Sequence, residues 1–352
     1  MSGRNLRFIN TLILSLLLVL TLTGVYGLFF PFPSTLFDIH RIAAWALIIL
    51  IPWKTIISLR SLRRGLDRRF DRNIMILVSI LIAIATLLIL VFGLIWKWNI
   101  GEYYLWMAGY GYSVIGWHWG IAVYFLLPLY ALHTWRRWHH PQQADFAGRR
   151  QTLKLIGLGV ASVAAWRISE ALAKTFQSED SRRRFTGSRE EGSFGGNVHP
   201  VTSGPNQGEI KLDSNTWNLS LNGAVKKPLS LTYADVLALS ASEVTATLDC
   251  TGGWYTVQTW RGLQLSDLLG QAGLNVDAVG VVLKGVFEYT APFTLVQAPE
   301  ILLATYVGDQ ILNHSHGFPL RAVVPSRRGW HWVKWLTEIE VVTIANLPRG
   351  VE

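Results

Sequence analysis

The sequence predicts a multi-domain chain: an all-α bundle of transmembrane helices, followed by a globular α+β domain with a mixed sheet. Three observations carry that prediction. Residues before about 175 contain long apolar runs, whereas the remainder alternates short strands, turns and capped helices. The arginines of the first part flank those runs instead of interrupting them. Half of the 352 residues are apolar, too many for a wholly soluble chain of this length. The net charge of +9 would suit a nucleic-acid binder, but arginines that bracket apolar segments orient helices in a bilayer, so nucleic acid is not an expected partner.

The first run, Leu6 to Phe30, starts after Arg4 and Arg7 and lacks a small-residue cleavage site, so a retained helix is expected. Further runs, about Thr35 to Leu59, Asn73 to Trp96 and Ser113 to Trp138, complete a four-helix unit over residues 1–140. Between the second and third lie Arg60, Arg63, Arg64, Arg68, Arg69 and Arg72 against Asp67 and Asp71, which puts that loop in the cytoplasm. The loops Phe29 to Ser34 and Lys97 to Tyr112 are nearly uncharged and face outward. Arg136, Arg137, Arg149, Arg150 and Lys154 bring the chain back inside, and a weaker apolar segment within residues 141–175 carries it out again. Everything beyond is then extracytoplasmic, on a protein of the plasma membrane. The stretch Gly148 to Lys154 reads either as a twin-arginine export signal or as a pair of ordinary cytoplasmic anchors. Residues 176–196 read as a linker, with Arg182, Arg183 and Arg184 near lipid head groups.

Ionisable residues inside spans are candidates for function, and His40, His118 and His133 qualify. His40 and His118 each stand near the start of a helix running inward, so both sit at the outer leaflet. Two imidazoles from neighbouring helices at one depth suit the iron of a b-type haem. His133 lies about 22 Å further along the axis, rotated by roughly 60°, and would serve a second haem. The alternative for each is a histidine hydrogen-bonded between helices. The histidine placement makes the membrane part similar to diheme cytochrome b modules.

In the outer domain, residues 197–352, Val244, Ala246, Leu248 and Cys250 alternate with Thr245, Thr247 and Asp249. That period-2 pattern predicts a half-buried strand ending on the chain's single cysteine. Gly252 and Gly253 then present the thiol at a turn. A thiolate suits a soft metal, and one cysteine closes no disulfide within its own chain; a small buried hydrophobe is the plain alternative. Thr232 with Asp235 forms a capping box for one short helix, Ser266 and Asp267 open another closed by Gly273, and Tyr306 to Leu312 reads as a hairpin around Gly308 and Asp309.

Leu248 to Trp254, then Trp260-Arg261-Gly262-Leu263-Gln264-Leu265 and Leu268-Leu269, together with His316 to Pro325 and Trp332-Val333-Lys334-Trp335, resemble the molybdopterin-binding domain of the sulfite oxidase family. The resemblance spans about residues 197 to 345. It implies that Cys250 is the catalytic centre's protein ligand to molybdenum, and that His316, Arg321, Trp332, Val333 and Lys334 bind the pterin cofactor. A pterin phosphate wants fixed cations and backbone donors, which Arg321 and Lys334 supply. Arg327, Arg328 and His331 line the same region. Sulfite oxidases place arginines soon after the cysteine, where Thr251, Gly252 and Gly253 stand here, and carry a further dimerisation domain not expected in this chain. The branch it looks most like includes the catalytic subunit of bacterial methionine sulfoxide reductase.

The resulting expectation is an outward-facing molybdenum oxidoreductase that transfers oxygen atoms and exchanges electrons with quinone or another carrier through the membrane haem. Its substrate would be a small sulfoxide, N-oxide or sulfur oxyanion. The competing expectation is a metal-free binding or assembly module tethered to membrane lipids.

Overall fold

The computed structural model describes residues 3–29, 34–63, 70–98, 104–107, 110–137, 140–176, 183–202, 210–286 and 289–346. Arg64, Arg68, Arg69, Phe30, Arg182 and much of the expected linker lie outside those residues. The chain divides into two compact units, Met1–Gly187 and Ser188–Glu352.

The first unit is helical: α1 (Gly3–Phe29), α2 (Ser34–Arg63), α3 (Phe70–Trp98), a hairpin of β1 (Tyr104–Met107) and β2 (Tyr110–Ser113), α4 (Val114–Ile121), a π-helical turn Ala122–Leu126, α5 (Leu127–Arg137), α6 (Gln143–Phe146) and α7 (Arg149–Phe176). Five helical stretches are long and apolar enough to cross a membrane: Asn5–Gly27, Ser34–Ile56, Ile74–Trp98, Val114–Arg136 and Arg149–Ala173. They overlap the five apolar runs read from the sequence. Leu22, Ile84, Leu87, Val160 and Ile168 point outward and are exposed, which an apolar solvent favours and water penalises. Inside, Leu17, Leu47, Ala85, Ile89, Phe92, Trp96, Val114 and Ile121 form one core.

Two features depart from a plain helix-and-loop reading. The loop after α3, expected from its sequence to face outward, folds into the β1–β2 hairpin, whose Leu105 carbonyl accepts from Trp117 Nε1 at 2.7 Å. Ser113 then caps α4 by accepting from the Gly116 amide at 3.1 Å. The π turn also breaks the fourth span, altering the angular phase between His118 and His133 from that of an unbroken α-helix. At the other end of the bundle, the fully buried Asp145 takes two bonds from Arg7, at 2.8 and 2.9 Å, which ties α6 to α1.

The second unit contains β3 (Arg189–Glu190), β4 (Asn218–Gly223), β5 (Leu229–Thr232), α8 (Tyr233–Leu239), β6 (Ser242–Asp249), β7 (Trp254–Gln264), α9 (Leu265–Ala272), β8 (Ala278–Gly285), β9 (Thr290–Thr294), β10 (Leu302–Val307), β11 (Gln310–Ile311), β12 (Arg321–Val323) and β13 (Leu336–Thr343). One sheet runs β11-β10-β7-β3, with β12 added on β10 and β6 on β7. The other runs β5-β4-β13-β8-β9. Parallel pairs β3/β7 and β4/β13 among antiparallel neighbours make this the expected mixed-sheet α+β domain. The domain begins earlier than the sequence reading placed it: Arg189 and Glu190 pair with β7, and the Arg189 amide reaches the Gly253 carbonyl at 2.9 Å.

The Thr232–Asp235 capping box forms, and the β10–β11 hairpin turns at Gly308 and Asp309. Helix α9 starts earlier than expected. Its cap is Gln264, not Ser266, because β7 feeds straight into the helix and the Leu265 amide is taken by the Ile301 carbonyl at 3.0 Å. Between β7 and β10 the backbones press together at Gly262, where a Cβ would stand 1.9 Å from the Leu303 carbonyl oxygen.

Candidate functional site

Cys250 closes β6 and opens the turn into β7. Its amide bonds the Trp254 carbonyl at 2.8 Å, and its carbonyl accepts from Gly253 at 3.1 Å. The thiol donates to Thr202 Oγ1 at 3.4 Å and accepts from the Gly252 amide at 3.3 Å. Gly252 is needed for space: a Cβ there would lie 3.2 Å from Thr202 Oγ1 and 3.5 Å from the sulfur. Trp254 Nε1 fixes the same Thr202 hydroxyl at 3.0 Å. Burial pushes the thiol's pKa up, and the Thr202 and Gly252 hydrogen bonds pull it back. Cation binding at sulfur would remove the proton outright.

Asp249 breaks the strand's alternation. Read as outward-facing, it is buried, and its carboxylate accepts from Ser188 Oγ at 2.7 Å and from Arg328 at 3.2 Å. Arg328 also donates to the Cys250 carbonyl at 3.1 Å. The turn that carries the thiol is therefore clamped from behind by an ion pair.

Beside the thiol stand the groups expected to bind a pterin. Arg321 is buried, donates to the His316 carbonyl at 3.0 Å, and has its guanidinium over the Trp260 and Trp332 rings at 5.4 and 5.8 Å. Lys334 Nζ donates to the Thr202 and Ser315 carbonyls at 3.3 and 3.2 Å. His316 is held by Asn313 Oδ1 and the His199 carbonyl. Val333 and the Trp332 ring are core groups: the indole donates to the Arg327 carbonyl at 3.0 Å, and the Val333 carbonyl accepts from Ala322. Those two residues offer a ligand only backbone beside Lys334.

Sequence reasoning missed His199 and Tyr289. His199 meets the His316 ring edge to face with centres 4.1 Å apart, its Nδ1 bonds the Gly196 carbonyl at 2.8 Å, and its Nε2 has no partner among the described residues. Tyr289 donates to the Trp330 carbonyl, and burial raises its pKa, offset by Arg321 and reinforced by Cys250. Neither sits in a periodic segment; the Asn197–Pro200 and Tyr289–Thr290 stretches carry no strand or helix pattern to mark them.

The electrostatics of this cluster test whether an anionic cofactor fits. Burial, then the neighbouring positive groups, holds His199 at about 3; burial alone is the chief cause that brings His316 to about 4. Burial lowers Arg321 to about 10, and burial plus Arg321 brings Lys334 to about 7. Among the described residues no carboxylate pairs with Arg321 or Lys334, and Arg321 Nε has no hydrogen-bond partner. A buried guanidinium beside a half-buried ammonium, with no acid among the described residues, costs free energy until an anion arrives. A phosphate-bearing pterin with sulfur-ligated molybdenum fits that donor set: the fork and the ammonium take the phosphate, and Cys250 takes the metal.

In the helical unit, His40 of α2 and His118 of α4 come together, with ring centres 6.4 Å apart. Thr23 Oγ1, which donates to the Val19 carbonyl at 2.6 Å, takes the His40 Nδ1 proton at 2.8 Å. His118 Nδ1 donates to the Ile89 carbonyl at 2.7 Å. Both Nε2 atoms are thereby left as bases, the tautomer that ligates metal. Two imidazoles at this separation would hold a metal ion between them, and these are the residues that would hold the expected haem iron. His133 lies elsewhere, with Nδ1 3.3 Å from Ser79 Oγ, matching the alternative of a histidine bonded between helices.

Fold and site define a mixed-sheet domain in which one buried thiol stands with a buried guanidinium and a half-buried ammonium, a set that could hold a metal and an anion. Residues 206–347 match the family described as oxidoreductase molybdopterin binding domain. The second unit thus carries a molybdopterin-binding oxidoreductase domain of the sulfite oxidase family. The uncharacterized oxidoreductase YuiH of Bacillus subtilis (strain 168) is 33% identical over 131 residues, covering 36% of this chain and 66% of that one. Sulfite oxidase of Arabidopsis thaliana is 32% identical over 165 residues, covering 36% of this chain and 42% of the plant protein. The crystal structure of the sulfane dehydrogenase SoxCD from Paracoccus pantotrophus matches with 26% identity and a TM-score of 0.37, covering 40% of this chain and 42% of that one. The chain thus spans under two thirds of the length of these relatives.

Proposed function

We propose that the protein is a membrane-bound molybdenum oxidoreductase that transfers an oxygen atom to or from a small sulfoxide, N-oxide or sulfur oxyanion. It exchanges electrons with the quinone pool, or another carrier, through one b-type haem held by His40 and His118. The observation that carries this reading is the buried Arg321 with the half-buried Lys334, neither paired with a carboxylate among the described residues, beside the only cysteine. Bound there, the cofactor supplies a metal centre that moves an oxygen atom together with two electrons.

The protein's own residues do the rest. Arg328 and Asp249 hold the Cys250 turn rigid, and Thr202 and Gly252 orient its sulfur. Arg321, Lys334 and neutral His199 and His316 bind the cofactor's phosphate end. Thr251 and Gly252 bring no cation beside the sulfur, which favours a neutral oxygen donor over a sulfur oxyanion. Outward-facing apolar side chains on five long helices, and arginines at their cytoplasmic ends, support a multi-pass membrane location with the second unit outside.

Metal analysis tests the reading. Wild type made in a host that synthesises the pterin is expected to hold close to one molybdenum per chain, and Cys250→Ser at most about a tenth of that. Equal molybdenum in both would remove the thiolate from the account.

A further inference from the structure

Helix α7 buries a stripe of Ser162, Trp166, Ser169 and Ala173, spaced i, i+4, i+7 and i+11 along one face. Ser162 satisfies its hydroxyl on the Leu158 carbonyl at 2.6 Å. The next two do not. Trp166 Nε1 and Ser169 Oγ have no hydrogen-bond partner among the described residues, although the residues are only 7% and 2% exposed. Serine and threonine in helices ordinarily bond back one turn, as Ser79 and Thr23 do here; Ser169 does not. Two donors three residues apart share a face, and burying both unmet in an apolar bundle costs free energy that no protein group returns.

Their surroundings point to the ligand. The following residue, Glu170, has its carboxylate 3.9 Å from Arg41, 3.8 Å from Lys97 and 3.7 Å from Arg167. Arg41 succeeds His40 on α2, the helix along which α7 packs. Two buried donors, a carboxylate set among three cations and the helical turn that carries His40 are thus gathered at one end of the bundle.

We propose that Trp166 Nε1 and Ser169 Oγ bind a carbonyl oxygen of a lipid-soluble quinone, with the Glu170 carboxylate an acceptor for a hydroxyl of the quinol form. This rests on the haem-and-quinone reading above and gives it a location. Oxidation of quinol breaks two O–H bonds and releases two electrons, with two protons passing to water. The same two electrons and two protons convert a sulfoxide to a sulfide and water, so the overall exchange balances. A phospholipid ester offers the same acceptor oxygen but no electrons.

The test titrates the full-length protein, in nanodiscs, with a short-chain benzoquinone and measures bound quinone by equilibrium dialysis. Wild type is expected to bind saturably, and Ser169→Ala and Trp166→Phe each to bind about 3- to 10-fold more weakly, the loss of one neutral hydrogen bond. Without quinone, Ser169→Ala is expected to melt no lower than wild type, because it deletes an unmet donor. Equal quinone binding in wild type and both variants overturns the proposal. A lower melting temperature of quinone-free Ser169→Ala also overturns it, by showing the hydroxyl already partnered. So does loss of a tightly held phospholipid from the variants with quinone binding intact, which assigns the donors to a lipid ester. Because binding is read without turnover, the haem reading fails separately: saturable binding that depends on Ser169, in protein without b-type absorbance, supports this site and removes the haem.

Discussion

His199 and His316 meet edge to face near Arg321, and burial with the neighbouring charges disfavours a proton on either ring. Both titrate in the folded chain well below the ordinary histidine value of about 6.5, so as pH falls from 6.5 toward 3 the unfolded chain takes up protons that the folded chain refuses. Stability is therefore full above pH 6.5 and lost on acidification. Thermal or urea unfolding of cofactor-free protein is expected to show His199→Gln losing less stability than wild type between pH 7 and 4.5, by on the order of 2 kcal/mol; parallel pH profiles would contradict a neutral His199. At this scale Cys250 was legible because alternation in β6 marks it and two glycines follow. Asp249 was misplaced on the outer face, since period 2 knows nothing of Ser188 and Arg328, which arrive from 61 and 79 residues away. His199 left no sequence signal, because a single histidine in irregular backbone acquires meaning only from what folds against it.

Gly262 shows how the strands set tolerances. Alanine there drives a methyl into the Leu303 carbonyl, and since both partners are backbone, β7 and β10 must part. Gly262→Ala is expected to destabilise the second unit by roughly 3 kcal/mol in chemical denaturation. The helical control has the opposite sign: at Gly270 of α9 a Cβ meets nothing within 4 Å, so Gly270→Ala is expected to stabilise by about 0.5–1 kcal/mol. Long helices were legible from apolar run length alone, and α8 from its capping box. The β1–β2 hairpin was hidden in an aromatic loop, and the π turn was masked by the unbroken apolar run, although Gly120 and Pro128 flank it and the missing Pro128 amide leaves the α-helical bond to residue 124 unmade.

At the scale of the chain, two compact units each gather one set of cofactor donors, and the sets share no residue. Loading is expected to be independent. His118→Ala is expected to abolish reduced b-type absorbance in the purified protein while its molybdenum content stays within about twofold of wild type. Loss of both signals together would mean that the helical unit is needed for the other to fold. The order of the parts was plain from hydropathy, but the junction was not: Ser188 opens the second unit because β7 offers its edge to Arg189 and Glu190. The positive charge gathered at Arg321 and Lys334 has one more expected effect. Like charges with no carboxylate between them among the described residues repel, so without its cofactor the domain would be the softer form and a bound pterin phosphate would act as a keystone. Finished and unfinished copies of the protein then differ in resistance to proteolysis, a difference by which a cell can discard those that never received their metal.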